Sequence, residues 1–310
     1  MNNLLEVNNV VKRYGDYTAL NNVSLHIPKG SVFGLLGPNG AGKTSLIRII
    51  NQITMPDSGE VILDGEKLAP KHIEQIGYLP EERGLYKSMK VGEQALYLAQ
   101  LKGLSKAEAK KRLKYWFDKF EIGAWWNKKI EELSKGMAQK VQFIVTVLHE
   151  PKLLIFDEPF SGFDPINAQL IAKEILQLRD QGATIIFSTH RMESVEEMCD
   201  YIALINKSNK ILDGKLEDIK RQYRTHTYEI GLKTEAASEV QQKLSEKFVV
   251  TPAEFKSLNG GLKLNVKLTE GNSANDLLSY LSSQGEVQHF VELVPSANDI
   301  FIQTVHKNIN

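Results

Sequence analysis

Hydrophobic and polar positions near the start of the chain follow the short alternating runs that are typical of β-strands. Three such runs, at residues 4–11, 19–27 and 31–36, predict a mostly antiparallel sheet that leads into a buried strand. The last run continues into a glycine-rich stretch, after which residues 45–52 are predicted to form a helix. Further strands are predicted at residues 59–63 and 76–79.

Between about residues 85 and 150 the pattern changes to one that predicts helices. Ser105 followed by Glu108 is a capping box, which opens a helix that runs to Phe120. Ser134 begins another helix, which stops before Pro151 because proline does not continue a helix. We therefore expect this segment to form a helical subdomain.

Beyond Pro151, strands and helices alternate along the chain. Residues 152–156 and 184–188 are continuous apolar runs, which predict strands buried on both faces. Between them, Asp164 and Pro165 form an N-cap followed by proline at the first helical position, and Gly182 closes the helix. Residues 201–206 and 210–212 are predicted to pair as a hairpin that ends this region. The whole pattern predicts an α/β domain at residues 1–222.

After about residue 223 a second, smaller pattern begins. Its predicted elements are a strand at 227–232, a helix at 235–247, a strand at 262–268 after the turn 259–261, a helix capped by Ser273 with Asp276, a strand at 286–293 and a helix that starts at Ser296 with Asp299. The order β-α-β-β-α-β predicts a small α+β domain of the ferredoxin-like type at residues 223–310.

The glycine-rich stretch fits the P-loop pattern and contains the first candidate site residues. Its sequence is Gly37-Pro38-Asn39-Gly40-Ala41-Gly42-Lys43-Thr44, with Ser45 next to it. Glycines let the backbone fold round phosphate oxygens, and the following helix points the positive end of its dipole at the same anion. Lys43 would reach the β- and γ-phosphates of ATP, and Thr44 would ligate Mg²⁺. The alternative is a glycine turn without a ligand, but the position between a strand and a helix favours the P-loop.

An acidic pair follows the apolar strand at residues 152–156. Asp157 would hold Mg²⁺ through water, and Glu158 is placed to polarise the water that attacks the γ-phosphate. An acidic pair after a strand is by itself usually a solvated strand end. Beside a P-loop, the catalytic interpretation is the stronger one.

The content and order of these motifs resemble those of the ABC transporter ATPases over about residues 4–216. The further motifs that carry the resemblance are Leu133-Ser134-Lys135-Gly136-Met137, similar to the family's signature motif; Phe160-Ser161-Gly162-Phe163-Asp164, similar to its D-loop; His190 at the position of its switch histidine; and Tyr14 at the position of its adenine-stacking aromatic residue. The resemblance implies a P-loop ABC ATPase fold with a mixed sheet core, an antiparallel β subdomain and a helical subdomain.

The resemblance also implies a mechanism and partners. Two copies would form a head-to-tail dimer, in which Ser134 and Gly136 of one copy close over the γ-phosphate held by the other. His190 would orient the γ-phosphate and the attacking water, and Asp164 would lie at the interface. The closure of the two copies would move a separate integral membrane permease. Contact with this permease would place the cytoplasmic chain on the inner face of the cell membrane.

Two residues depart from the family's pattern. Lys135 stands where the signature motif usually has the first of two adjacent glycines. Glu81 follows Pro80 where the family has its Q-loop glutamine. A carboxylate there still accepts hydrogen bonds from water or approaches Mg²⁺, so Glu81 is a candidate for both catalysis and metal binding, but it adds negative charge beside a polyphosphate. These variants and the C-terminal domain resemble exporter-type cassettes of the sodium-efflux and drug-resistance group.

The segment after Glu81 leads into the region that meets the permease in the family. Our candidates for that contact are Arg83, Leu85 and Tyr86. Trp116, Trp125 and Trp126 lie in the helical region and are interpreted as subdomain core.

Composition and charge narrow the possible partners. Lysine plus arginine and aspartate plus glutamate are equal at 38 each, which speaks against a nucleic-acid partner held by bulk charge. The single cysteine, Cys199, excludes a disulfide within the chain and fits a reducing cytosol. The N-terminus lacks the regions of a signal peptide, and no apolar run is long enough to cross a bilayer. Another chain would therefore have to span the membrane.

Two alternatives remain at this point. One is a soluble ABC ATPase that acts on ribosomes or DNA, although such proteins usually have two cassettes in one chain or a long coiled coil. The other is a regulatory module whose ATP site is a binding switch with negligible turnover, which the Lys135 and Glu81 departures keep open.

Overall fold

The computed structural model describes residues 2–82, 84–255, 261–269 and 271–308. The strands are β1 (Asn3–Tyr14), β2 (Tyr17–Pro28), β3 (Val32–Leu36), β4 (Ser58–Leu63), β5 (Glu66–Lys67), β6 (Ile76–Leu79), β7 (Leu153–Asp157), β8 (Thr184–Ser188), β9 (Tyr201–Asn206), β10 (Asn209–Lys215), β11 (Thr227–Lys233), β12 (Val249–Pro252), β13 (Leu262–Lys267) and β14 (Glu286–Glu292). The α-helices are α1 (Lys43–Ile50), α2 (Val91–Leu101), α3 (Lys106–Lys119), α4 (Lys135–Val147), α5 (Pro165–Asp180), α6 (Met192–Met198), α7 (Leu216–Gln222), α8 (Ala237–Lys247), α9 (Ala274–Gln284) and α10 (Ala297–Lys307).

The chain divides into two compact units. One contains Met1–Leu216 together with Gln303–Asn310, and the other contains Glu217–Ile302. The division between Leu216 and Glu217 lies close to the boundary that the sequence places after residue 222. None of the helices in the described parts of the chain combines the length and the apolar character needed to span a bilayer.

The central sheet of the larger unit is mixed, with the strand order β10-β9-β3-β8-β7-β6. From β9 to β6 all neighbours are parallel, and only β10 pairs in the antiparallel sense. Every residue of β3, β7 and β8 is buried, as their continuous apolar runs predict. Because these strands are parallel, their carboxyl ends meet at one edge, which is where open α/β sheets bind ligands.

A second sheet and the first helix hold the strand that precedes the P-loop. The order β2-β1-β4-β5 is antiparallel throughout, which confirms the expected antiparallel β subdomain. Helix α1 buries Leu46, Ile47, Ile49 and Ile50 in one cluster with residues of β1, β2, β3 and β7. It begins at Lys43, two residues before the predicted start at Ser45, because Gly42 takes the N-cap position.

Aromatic packing joins the helical subdomain to the central sheet. Trp116 on α3 is buried, and its ring centre lies 5.7 Å from that of Phe120 and 6.1 Å from that of Phe143. Phe143 on α4 stacks on Phe156 of β7 at 5.7 Å. Trp116 is therefore a core residue, as expected from the sequence, and α4 is fixed against the strand that ends in Asp157.

His149, which follows α4, makes the stability of this region sensitive to acid. Burial lowers its pKa to about 4, and the positive charge of Lys102 acts in the same direction. An unfolded histidine titrates near pH 6.5, so the unfolded chain binds the extra proton first as the pH falls. The stability contributed by neutral His149 is thus present above about pH 6.5 and is lost towards pH 4.

We expect the free energy of unfolding to fall by about 2 kcal/mol between pH 7.5 and pH 5 through this group alone. Urea unfolding followed by tryptophan fluorescence measures it, because all three tryptophans lie in the helical region. The His149→Gln variant should lose most of this dependence, whereas His26→Gln, at an exposed position, should keep it. Equal pH dependence in His149→Gln and the wild type would contradict the assignment.

From β11 to β14 the smaller unit has the order β-α-β-β-α-β, which is the order of the predicted ferredoxin-like fold. Its sheet has the strand order β12-β13-β11-β14, and all pairs are antiparallel. Tyr228, Ile230 and Leu232 of β11 form its core with leucines and valines from the sheet and from α8 and α9. The ferredoxin-like arrangement is therefore confirmed. Of the predicted turn at 259–261, residues 259 and 260 lie outside the described residues, and strand β12 was missed by the sequence analysis.

Candidate functional site

The glycine-rich loop between β3 and α1 has the backbone shape that a phosphate cradle needs. Gly37, Gly40 and Gly42 have φ angles of 148°, 77° and 116°. A Cβ on Gly37 would lie 2.1 Å from the carbonyl oxygen of Ile205, and one on Gly42 would lie 2.2 Å from that of Ala19. Only glycine fits at these two positions, so the tight loop is set by both its conformation and its surroundings.

Lys43 lies inside this loop. Its ammonium group donates hydrogen bonds to the carbonyl oxygens of Gly37, at 2.7 Å, and Pro38, at 3.1 Å. Burial lowers its pKa, while the charges of Asp157, Glu158 and Glu81 act in the opposite direction. The lysine thus feels the charges of carboxylates from two different strand ends, and it stands at the position of the lysine in the P-loop pattern.

Three carboxylates converge on the same edge of the central sheet. Asp157 is the last residue of β7, Glu158 follows it, and Glu81 follows β6. Burial raises the pKa of Asp157, the negative charges of Glu81 and Glu158 raise it further, and Lys43 opposes them. The sequence predicted Asp157 and Glu158 at this position, and the pairing of β6 with β7 brings Glu81 close to them.

The carboxylate of Glu158 is held by the segment that follows β8. Its Oε1 accepts hydrogen bonds from the backbone N–H of His190 at 2.8 Å, and Nδ1 of the His190 ring lies 2.7 Å from the same oxygen. Its Oε2 accepts a hydrogen bond from the hydroxyl of Thr189 at 3.2 Å. Glu158 has a φ angle of 50°, a conformation uncommon for residues other than glycine, and such residues cluster at functional sites.

Sequence reasoning missed two residues of this site. Thr189 was overlooked although it directly precedes His190. The hydroxyl of Tyr17 donates a 2.7 Å hydrogen bond to the carbonyl oxygen of Gly40 in the P-loop. The two-residue loop after Tyr14 pairs it with Tyr17 at the end of a hairpin, and this loop was a signal that both tyrosines would lie together. Tyr14 itself is exposed, with Lys12 Nζ 5.4 Å from its ring centre.

The signature and D-loop residues form a second group. Ser134 is the N-cap of α4 and accepts a 3.2 Å hydrogen bond from the N–H of Met137. Gly136 lies close to the D-loop: a Cβ built on it would be 3.6 Å from the carbonyl oxygen of Gly162. Asp164 caps α5 through a 3.0 Å hydrogen bond from the N–H of Asn167. Within the chain, Ser134 and Asp164 thus act as helix caps.

Together, a P-loop on a parallel strand, carboxylates at the ends of β6 and β7 and a hydrogen-bonded Glu158 define a nucleoside-triphosphate hydrolase site. Comparisons with known proteins narrow the class. A family model described as ABC transporter matches residues 20–161, and one described as ATP-binding protein DrrA1-3-like, C-terminal domain, matches residues 214–305.

Individual proteins agree with this match. The chain is 40% identical to the ABC transporter ATP-binding protein YhaQ of Bacillus subtilis (strain 168), over 97% of this chain and 98% of the relative. It is 35% identical to the linearmycin resistance ATP-binding protein LnrL of the same organism, over 70% of each chain. A solved ATP-binding subunit of an ABC transporter is 33% identical, with a TM-score of 0.67 over 71% of this chain and 93% of that chain.

The chain belongs to the ABC transporter ATP-binding proteins, and it is an ATP-binding and ATP-hydrolysing subunit of that family. Members of this family generally dimerise and work with a membrane permease. The resemblance stated from the sequence motifs, the fold class and the ATPase activity are therefore confirmed.

Proposed function

We propose that this chain hydrolyses ATP with Mg²⁺ at the loop Gly37–Thr44 as one of two identical copies, and that it drives export through a separate membrane permease. The observation that carries the proposal is the convergence of Lys43, Asp157, Glu158 and His190 at one edge of the central sheet. They come from three segments, namely the start of α1, the end of β7 and the segment after β8, and ATP chemistry needs this combination of a phosphate-binding cation, a metal-binding carboxylate and a base.

The residues present fit Mg²⁺. Among the described residues no group of three or more histidine, cysteine, aspartate or glutamate side chains is arranged to hold a metal by itself. Mg²⁺ needs no such cage, since it is usually bound by one or two carboxylates together with substrate phosphates and water. Thr44 and Asp157 would hold it, with Glu81 nearby. When bound, the ion supplies positive charge that neutralises the phosphate oxygens.

Catalysis by the chain's own residues follows from the Glu158 geometry. Glu158 accepts a proton from the attacking water, and the bonds from Thr189 and His190 fix its carboxylate while it does so. The His190 side chain is mostly exposed, so its ring has room to turn from Glu158 towards the γ-phosphate when a second copy closes over the site. Lys43 and the loop N–H groups take up the charge that develops on the phosphates. Tyr14 stacks on the adenine.

The second copy completes the enclosure. Ser134 is exposed at the start of a helix of 13 residues, where N–H groups and the helix dipole favour an anion. In a head-to-tail dimer it faces the γ-phosphate held by the other copy, together with Gly136. Asp164 lies beside this contact.

A groove next to the Q-loop residue Glu81 is the surface proposed for the permease. The cavity measures about 340 Å³, is lined mostly by apolar side chains and reaches from Tyr78 and Leu85 to Leu98 and Leu101. Leu101, which lines the groove, is 58% exposed, and Tyr86, the residue after the lining residue Leu85, is 55% exposed. Exposed apolar patches of this kind mark interaction sites. Leu85 and Tyr86 were candidates from the sequence, whereas Arg83 lies outside the described residues.

We expect Leu101→Glu to lose the permease while the isolated chain keeps its ATPase rate, because a charge at the groove rim opposes an apolar contact and Leu101 contributes no group to the ATP site. Purification of the tagged chain from detergent-solubilised membranes, with mass spectrometry of the co-purified multi-span protein, measures it. Val249→Glu is the matched control, at a position of the smaller unit that is 60% exposed. Undiminished co-purification of Leu101→Glu would contradict the groove, and recovery with ribosomes or DNA would favour a soluble ATPase.

The direction of transport is proposed from the chain's relatives. LnrL is named for resistance to linearmycin, a function that export of a toxic compound would provide. The match of residues 214–305 to the DrrA1-3-like C-terminal domain supports the same group. Inside-out vesicles that contain the permease and this chain test the direction of transport. With ATP outside, export appears as ATP-dependent accumulation of the transported compound inside the vesicles.

A further inference from the structure

The side chain of Lys135 packs across the D-loop of its own chain. Its Cγ, Cδ and Cε atoms lie 2.9, 2.6 and 2.4 Å from the position that a Cβ would take on Gly162. Gly162 has a φ angle of 87°, in the left-handed region. The aliphatic part of Lys135, from Cβ to Cε, thus fills the space that a side chain at position 162 would need. We call this part the Lys135 stem.

The contact belongs to a larger junction between the start of α4 and the D-loop. Next to the Lys135 stem, a Cβ on Gly136 would lie 3.6 Å from the carbonyl oxygen of Gly162 and 3.7 Å from the ring of Phe163. Ser134 directly precedes these residues. Lys135 and Gly162 are both exposed, so the stem lies over the D-loop at the surface, and a displacement of the helix start moves the stem against Gly162.

The D-loop is in turn tied to the catalytic carboxylate residue. The N–H of Ser161 donates a 3.0 Å hydrogen bond to the carbonyl oxygen of Glu158. The ring centre of Phe160 lies 5.6 Å from that of Phe187 on β8, which anchors this end of the loop to the central sheet. A continuous series of contacts consequently runs from the Lys135 stem through Gly162 and Ser161 to the backbone of Glu158.

We propose that Lys135 is a positioning residue for ATP hydrolysis, which couples the signature helix to Glu158 by packing its stem on Gly162. A glycine at position 135, the family's usual residue, has no stem and leaves this space open. The inference rests on the proposed function, because α4 is displaced by nucleotide only if a second copy closes on it. The role belongs to the stem and does not need the ammonium group.

The variants Lys135→Gly and Lys135→Met separate stem from charge, since methionine keeps an unbranched chain of similar length. Phosphate release from the purified full chain gives kcat and KM for ATP. We expect Lys135→Gly to lower kcat about three- to tenfold, the usual size of effect when a contact that couples two sites is removed, with KM within about twofold of the wild type. Lys135→Met should keep kcat within about twofold. A purely structural role would not separate kcat from KM in this way.

Two results would overturn the proposal. If kcat of Lys135→Met fell as far as kcat of Lys135→Gly, the coupling would depend on the charge of the lysine and not on its stem. If Lys135→Gly kept the wild-type kcat, no coupling would run through this contact. Failure of the proposed function is distinguishable from failure of the Lys135 proposal. In that case the wild-type chain itself would form no ATP-dependent dimer.

A double-mutant cycle tests the contact itself. Gly162→Ala places a methyl group against the stem in the wild type, but not in Lys135→Gly, whereas the backbone cost of the φ angle is equal in both. We therefore expect Gly162→Ala to reduce kcat by a larger factor in the wild type than in Lys135→Gly. Equal factors would refute the coupling. Circular dichroism melting checks folding, and if Gly162→Ala does not fold, the position 135 variants alone decide.

Discussion

Glu158→Gln should bind ATP as tightly as the wild-type chain and lose turnover by about 10²–10⁴-fold, the usual contribution of a positioned general base. The amide has nearly the same size as the carboxylate, and its oxygen still accepts the hydrogen bond from the N–H of His190, which is 2.8 Å from Oε1 in the wild type. It cannot take up the proton of the attacking water. Binding and chemistry are therefore separated by this one change.

Because hydrolysis is what reopens the proposed dimer, ATP-bound dimers of Glu158→Gln should accumulate. Phosphate release measures turnover, and size-exclusion chromatography with light scattering in the presence of ATP measures the dimer. Glu197→Gln is the matched control, since this glutamate is exposed on α6. Undiminished hydrolysis in Glu158→Gln would remove Glu158 from the mechanism, and a monomer in ATP would tell against the two-copy enclosure.

Lys43→Ala should weaken ATP binding about 10- to 100-fold. Hydrogen bonds to charged groups contribute about 1.5–3 kcal/mol, and each 1.4 kcal/mol is a factor of ten in the dissociation constant. The lysine is also the cation that opposes the raised pKa of Asp157. Its removal leaves three carboxylates facing a polyphosphate, so the loss should fall on affinity as well as on turnover.

Titration with a fluorescent ATP analogue in the presence of Mg²⁺ measures this effect. Lys67→Ala serves as the control, because the side chain of Lys67 is 76% exposed on β5. Both variants should show the same circular dichroism as the wild type. Wild-type affinity in Lys43→Ala would mean that the loop does not hold the phosphates as proposed.

The fold could be predicted from the sequence where local pattern and burial agree. The runs of β7 and β8 are mostly apolar and do not alternate with charged residues, which predicts central strands, and both are buried throughout. The helix caps at Ser105, Asp164 and Ser273 are set by residues within one turn, and all three were predicted correctly. Strand β12 was missed, since Val249–Pro252 is short and exposed and exists through its pairing with β13.

The site followed the same division. The P-loop and the pair Asp157-Glu158 are contiguous motifs, and the sequence displays them directly. Thr189 and Tyr17 were overlooked because their contacts with Glu158 and Gly40 join segments that are distant along the chain. A hydroxyl group forms a hydrogen bond within the site only if the fold brings its loop to the edge of the sheet where the site lies.

The amino-acid sequence alone determined the family, the α/β class and the order of the motifs along the chain, because each is encoded in neighbouring residues with fixed local geometry. Only the tertiary structure decided that Glu81 approaches Asp157 and that the Lys135 stem lies on Gly162. These are contacts between separate segments, and their distances are set by the pairing of β6 with β7 and by the packing at the start of α4. No periodicity or spacing along a single chain carries that information.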